Sequence, residues 1–149
     1  MPDAKPQTKP SLDQKRALHA LARIESRQTE KDAPASYGKY VSYVKGLPAT
    51  IIQSGFGQAL AMLNAGSKPG HRALFADVAD WLCDGWTSGP VRQSLPPMPT
   101  DPQERAKRIF QTIMTDEKTY LQVQAETMAY LEWLKKFAVA FLRDEGGAE

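Results

Sequence analysis

The chain has 149 residues, 42% of them apolar and 24% charged, with a formal net charge of +2. That is enough for one domain around a single core, and too apolar for a disordered chain. The single cysteine, Cys83, excludes an internal disulfide and an all-cysteine zinc site.

The opening M-P-D-A-K-P-Q-T-K-P has no apolar centre of the secretory kind, and no run approaches the ~18 apolar residues a membrane span needs. A soluble, cytoplasmic protein without membrane association is expected. Charge is unevenly placed. Residues 1–45 carry nine Lys/Arg against five Asp/Glu, residues 46–100 three of each, and residues 101–149 seven against nine. A basic first part and an acidic last part suit an anionic partner, or copies of the protein meeting one another, as well as ordinary solvated surface.

Residues 1–10, with three prolines, read as a mobile tail, and residues 11–145 as one helical domain. Ser11 and Gln14 form a capping box for a first helix reaching about residue 28, with Ala17, Leu21 and Ile24 inward and Leu18 at the edge. Tyr37, Tyr40, Val41 and Val44 predict a short second helix over 35–45, ended by Gly46. Pro48 suits the first turn of a third helix that carries Ile51, Ile52, Phe56, Ala59, Leu60 and Leu63 and stops at Gly66. Gly55 and Gly57 inside it cost up to ~1 kcal/mol each relative to alanine, which implies that another helix approaches closely.

A fourth helix over 70–84 buries Leu74, Val78, Trp81 and Leu82. The Gly- and Pro-rich stretch 85–99 predicts a long irregular connection. Asp101, Pro102 and Glu104 then supply the cap, first-turn proline and capping-box acid of a fifth helix reaching about residue 114, with Ile109, Phe110 and Ile113 inward. The last helix spans about 116–143. Tyr120, Val123, Thr127, Tyr130, Leu134, Phe137 and Phe141 share one face, and Leu121, Met128 and Val139 form a second apolar strip. A helix apolar on two sides lies between neighbours, and Gly146-Gly147 lie beyond its end. No segment alternates as a strand. The fold class is all-α: a single-domain bundle of about six helices around a long C-terminal one.

Several residues are candidates for chemistry. Arg16, Arg23 and Arg27 share one side of the first helix, away from its apolar side, and span roughly 16 Å along the axis. Such a stripe can track phosphates, which arginine grips with two N–H groups. Lys39 and Tyr43 are one turn apart, suiting a phosphate and a stacked base. Lys118, Lys136 and Arg143 share a polar side of the last helix. Asp77, Asp80 and Asp84 recur at i, i+3 and i+7, so they read as a solvated acidic face, a docking face for a basic neighbour, or oxygen ligands for Mg²⁺. Trp86 and Arg92 in the irregular stretch either tuck over the bundle or anchor a protein interface. His19 and His71 read as surface residues. No phosphate-binding glycine loop, nucleophile elbow or paired catalytic carboxylate occurs. The chain is expected to be no enzyme, with no metal and no cofactor.

Two stretches, Y-V-K-G-L-P-A-T-I-I-Q-S-G-F-G-Q-A-L-A-M-L at 43–63 and Y-L-Q-V-Q-A-E-T-M-A-Y-L-E-W-L-K-K-F-A at 120–138, resemble the small helical subunit of Cmr-type (type III-B) CRISPR RNA-silencing complexes. The likeness covers roughly residues 12–143. It implies a non-catalytic subunit of an antiviral ribonucleoprotein. Copies stack head to tail beside the backbone subunits that hold the guide RNA, line the channel for the guide–target RNA duplex, and are capped by the large subunit. The alternative is a free-standing helical nucleic-acid-binding regulator.

Overall fold

The computed structural model describes residues 8–29 and 39–142. Among these are seven α-helices and no strand: α1 (Leu12–Gln28), α2 (Tyr40–Ser54), α3 (Phe56–Ala65), α4 (Pro69–Asp80), α5 (Pro90–Gln93), α6 (Pro102–Ile113) and α7 (Glu117–Phe141), with a π-helical turn, Trp81–Gly85, continuing α4. The helix starts follow from local chemistry. The Ser11 hydroxyl accepts from the Gln14 backbone N–H at 3.1 Å, and the Gln14 side chain accepts from the Ser11 N–H at 2.8 Å. The Asp101 and Asp116 carboxylates accept from the Glu104 and Thr119 N–H groups at the heads of α6 and α7.

Helix α7 is the central post. It packs against α1, α2 and α6, most extensively against α1. Its inner face buries Val123, Tyr130, Leu131, Leu134 and Ala138 against Ile24, Tyr40, Leu60, Leu74, Trp81 and Ile109 from the surrounding helices. Phe141, expected inward, is about half exposed, and so are Leu121 and Val139 of the second strip, at 52% and 55%. Met128, between them, is partly buried against the core.

Two predicted boundaries move. The second and third predicted helices are one element: α2 runs through Gly46 and keeps Pro48 in its interior. An interior proline costs ~3 kcal/mol. Burial of Val44, Leu47 and Ile51 on either side, at ~1.5–3 kcal/mol each, outweighs it. The predicted start of that helix, with Tyr37, lies outside the described residues.

The chain breaks instead at Gly55, whose φ of +88° suits glycine and strains other residues. Gly57 fulfils the close-approach expectation. Its N–H donates to the Tyr120 hydroxyl at 2.8 Å, and a Cβ there would lie 2.9 Å from the Met114 methyl carbon. The irregular stretch 85–99 also contains more structure than its composition suggests, namely α5.

Candidate functional site

Helix α1 is turned further than its apolar residues indicate. Its inward side reads Arg16, His19, Ala20, Arg23, Ile24, Arg27, while Leu18 is 60% exposed. The three arginines therefore do not form an outer phosphate-tracking stripe. Arg16 makes a bidentate pair with Glu126 of α7, its Nε at 2.6 Å and Nη2 at 2.7 Å from the two carboxylate oxygens, and its Nη1 reaches Asp13 at 3.1 Å. Arg23 Nε donates to Asp77 Oδ1 at 2.7 Å. Arg27 is buried and donates to both Asp77 oxygens, at 3.2 and 2.8 Å, and to the Ala73 carbonyl at 3.3 Å. The Arg16 and Arg27 guanidiniums, each closed on an internal carboxylate by two N–H groups, have given up the pair that would grip a phosphate, whereas Arg23 commits only its Nε.

The aspartates separate for the same reason. Asp77 is fully buried; besides the two arginines it accepts from the Tyr40 hydroxyl at 2.6 Å. Burial and the adjacent carboxylate push the Tyr40 phenol well above its ordinary range. Asp80 accepts from His19 Nε2 at 2.6 Å, and Asp84 pairs with Arg92 at 3.3 Å and with Arg105. The widened π turn, whose Trp86 N–H bonds five residues back to the Trp81 carbonyl, carries Asp84 outward while Asp77 stays inside. These carboxylates are thus neither one acidic docking face nor one metal site. Among the described residues no group of three His, Cys, Asp or Glu side chains stands ready to hold a metal.

His19 is half-buried and bonded inward, contrary to its surface reading. Its Nδ1 lies 2.7 Å from the Tyr130 hydroxyl, and its ring meets Trp81 and Tyr130 edge-on at 5.3 Å. Trp81 and Tyr130 stack in parallel at 5.2 Å, and Trp81 Nε1 donates to Glu126 at 3.1 Å. Trp86 tucks over the bundle: it is 5% exposed, and Gly89 lies so close that a Cβ there would come within 2.4 Å of the indole. Of that pair only Arg92 reaches the surface, tied to Asp84.

The remaining basic residues lie outside. Lys118 and Lys136 are exposed on the outward side of α7, five turns or roughly 27 Å apart. Lys136 also reaches Glu132 at 3.9 Å and the Trp133 ring at 6.0 Å. Arg143 lies outside the described residues. Lys39 precedes α2, one turn before Tyr43, whose ring stacks on His71 at 4.1 Å beside a groove bordered by Leu47, Thr50 and Met62. His71 is half-buried and clamped between Tyr43 and Gly66.

The more telling signal is an absence. Between Asp32 and Asp77 the sequence holds no acidic residue, while Lys39, Lys45, Lys68, His71 and Arg72 fall within that span. Lys45, Lys68 and Arg72 are exposed, Lys39 is half-buried, and none has a carboxylate partner among the described residues. Counting like residues stripe by stripe misses this. Scanning for where acids are missing finds it.

A family model described as CRISPR-associated protein (Cas_Cmr5) matches residues 12–141. The CRISPR system Cmr subunit Cmr5 of Thermus thermophilus is 29% identical over 107 residues, which cover 72% of this chain and 78% of that protein. The crystal structure of a CRISPR-associated Cmr5 family protein from Thermus thermophilus shares the fold, with a TM-score of 0.66 at 23% identity over 91% of this chain and 100% of that one.

Proposed function

The chain belongs to the Cmr5 family of CRISPR-associated proteins, and from that premise we propose that it is a non-catalytic structural subunit of a Cmr-type (type III-B) CRISPR ribonucleoprotein. In this reading it lies beside the backbone and large subunits, lines the channel that holds the guide–target RNA duplex, and stacks head to tail on copies of itself. The observation that carries the RNA contact is the acid-free segment 33–76, which spans α2, α3 and the start of α4 and holds Lys39, Lys45, Lys68 and Arg72 without a carboxylate partner among the described residues. Carboxylate-free lysines read phosphates through charge, without sequence preference. The outward Lys118 and Lys136 are a second, sparser set.

The stacking contact falls to the strip Leu121–Met128–Val139 on the outward side of α7, in place of the aspartates. Leu121 and Val139 are exposed there, with Met128 partly buried between them, and a heterologous contact of this kind does not close on itself and so builds a filament. The free-standing regulator would need a polar recognition helix. Helix α3 instead buries Phe56, Ala59, Leu60 and Leu63.

The test of the RNA face is the salt dependence of RNA binding by the assembled complex. With Lys39, Lys45 and Lys68 replaced by Ala, the log–log slope should shrink by about two, at ~0.7 per lost contact on a single strand. An unchanged slope would place the RNA on the Lys118/Lys136 side.

A further inference from the structure

We propose that the cavity between α1, α3, α4 and α6 binds a single unpaired nucleotide, its phosphate held by Arg23, Arg72 and Arg105 and its base laid over Phe75. The cavity measures about 380 Å³, at the small end of the range for sites that enclose a small molecule. It is a size for one nucleotide, not for a duplex. The proposal rests on the RNA reading above and deepens it, because Arg72 belongs both to the acid-free segment and to the cavity wall.

The three guanidiniums come from three different helices, and each is already fixed on one side. Arg23 Nε is held by Asp77 at 2.7 Å, Arg72 Nη1 by the Ser67 carbonyl at 2.6 Å, and Arg105 by Asp84. Each guanidinium has five N–H donors, so these bonds leave donors over. A pinned arginine has lost much of its rotamer freedom before a ligand arrives, which lowers the cost of binding.

Phe75, with Ala76 and Ala79, supplies an apolar surface, and Phe75 is itself backed by Phe110 at 6.5 Å between ring centroids. Such a surface takes a flat ring of any base. Asn64 and Gln103 add side-chain amides, which both donate and accept. Asp80 also lines the wall, its carboxylate already accepting from His19. It repels a bare anion and accepts from base N–H groups, so a nucleotide fits better than phosphate alone.

The test is an NMR titration of the full chain with AMP, adenosine, inorganic phosphate, a six-nucleotide single-stranded RNA and a blunt RNA duplex. AMP should saturably shift the backbone amides around Arg72–Ala79 and Gln103–Arg105, while adenosine and phosphate bind at least several-fold more weakly. Arg72→Ala should weaken AMP about tenfold, the loss of one charge-assisted contact, without moving the melting temperature, since Arg72 is exposed and bonded to one backbone carbonyl. Gln103→Ala provides a second, surface variant. Shifts by the single strand but not by the duplex identify an unpaired RNA nucleotide as the ligand. Shifts by AMP alone identify a free nucleotide.

If AMP binds while the Lys39/Lys45/Lys68 variant leaves the salt slope unchanged, the cavity stands and the RNA-face reading falls. Three results would overturn the proposal: no saturable shift by AMP or the single strand, phosphate binding as tightly as AMP, or equal AMP binding by Arg72→Ala. Loss of Arg72→Ala copies from the purified complex with nucleotide binding intact would assign the cavity to a neighbouring protein instead.

Discussion

Helices α1 and α7 pack along each other, yet they meet with opposite chemistry. The inner side of α7 is Val123, Thr127, Tyr130, Leu131, Leu134 and Ala138, with one acid, Glu126, among them. The inner side of α1 is largely polar, with Arg16, His19, Arg23 and Arg27 around only Ala20 and Ile24. Apolar periodicity reveals an apolar face without knowledge of the neighbour. A charged inner face becomes legible only once its counter-charges are placed, here Glu126 from α7 and Asp77 and Asp80 from α4.

Asp77→Ala leaves Arg23, Arg27 and the Tyr40 hydroxyl without their common acceptor inside the bundle, and should cost ~3–5 kcal/mol of stability, measured by urea or guanidinium unfolding. A loss under ~1 kcal/mol would mean the α1 interface rests on packing alone. Leu134→Ala on the apolar side should cost ~2–5 kcal/mol by leaving a cavity. A result well below that range would show the α7 face able to collapse around the gap.

The sharpest contrast is with surface cations. Lys45→Ala and Lys68→Ala should each lie within about ±0.5 kcal/mol of the parent. The outward strip admits the same logic: Leu121→Ser with Val139→Ser should leave the monomer folded but lower the number of copies per complex counted by native mass spectrometry.

The smallest effect is in pH. The His19 hydrogen bond holds the Asp80 carboxyl below its ordinary 3.8. A depressed carboxylate contributes stability that is fully present above the unfolded value and is lost as pH falls through the folded one. Asp80→Asn should therefore flatten the acid limb of the stability profile below pH 4 and lower stability near neutrality. An unchanged acid limb would remove Asp80 from the α1–α4 network.

Much of the fold was legible because it rests on local rules. Ser11 and Gln14, Asp101 and Pro102, and the uninterrupted apolar run of α7 each act within a turn or two. The misplaced features depend on distant residues. Pro48 stays inside α2 because Val44, Leu47 and Ile51 are buried by other helices. The π turn moves Asp84 away from Asp77, which no i, i+3, i+7 count reveals. At the site, Tyr43 comes to the edge of a groove, but its stacking partner is His71, which belongs to α4. Arg16, Arg23 and Arg27 look like a phosphate ladder only while their carboxylate partners are unknown.

The inner cations of α1 hold the fold, and in the proposed function the outer cations of α2 and α4 hold RNA. This division is tested most directly by purifying complexes that carry either Arg16→Ala with Arg27→Ala or Lys39→Ala with Lys45→Ala and Lys68→Ala, and measuring both unfolding of the isolated chain and the salt slope of RNA binding. The arginine variant should lose stability by more than ~2 kcal/mol and leave the slope of the complexes that still assemble unchanged. The lysine variant should keep its stability and lose about two in slope. The reverse pattern, a stable arginine variant with a shrunken slope, would contradict the division and return the RNA to α1.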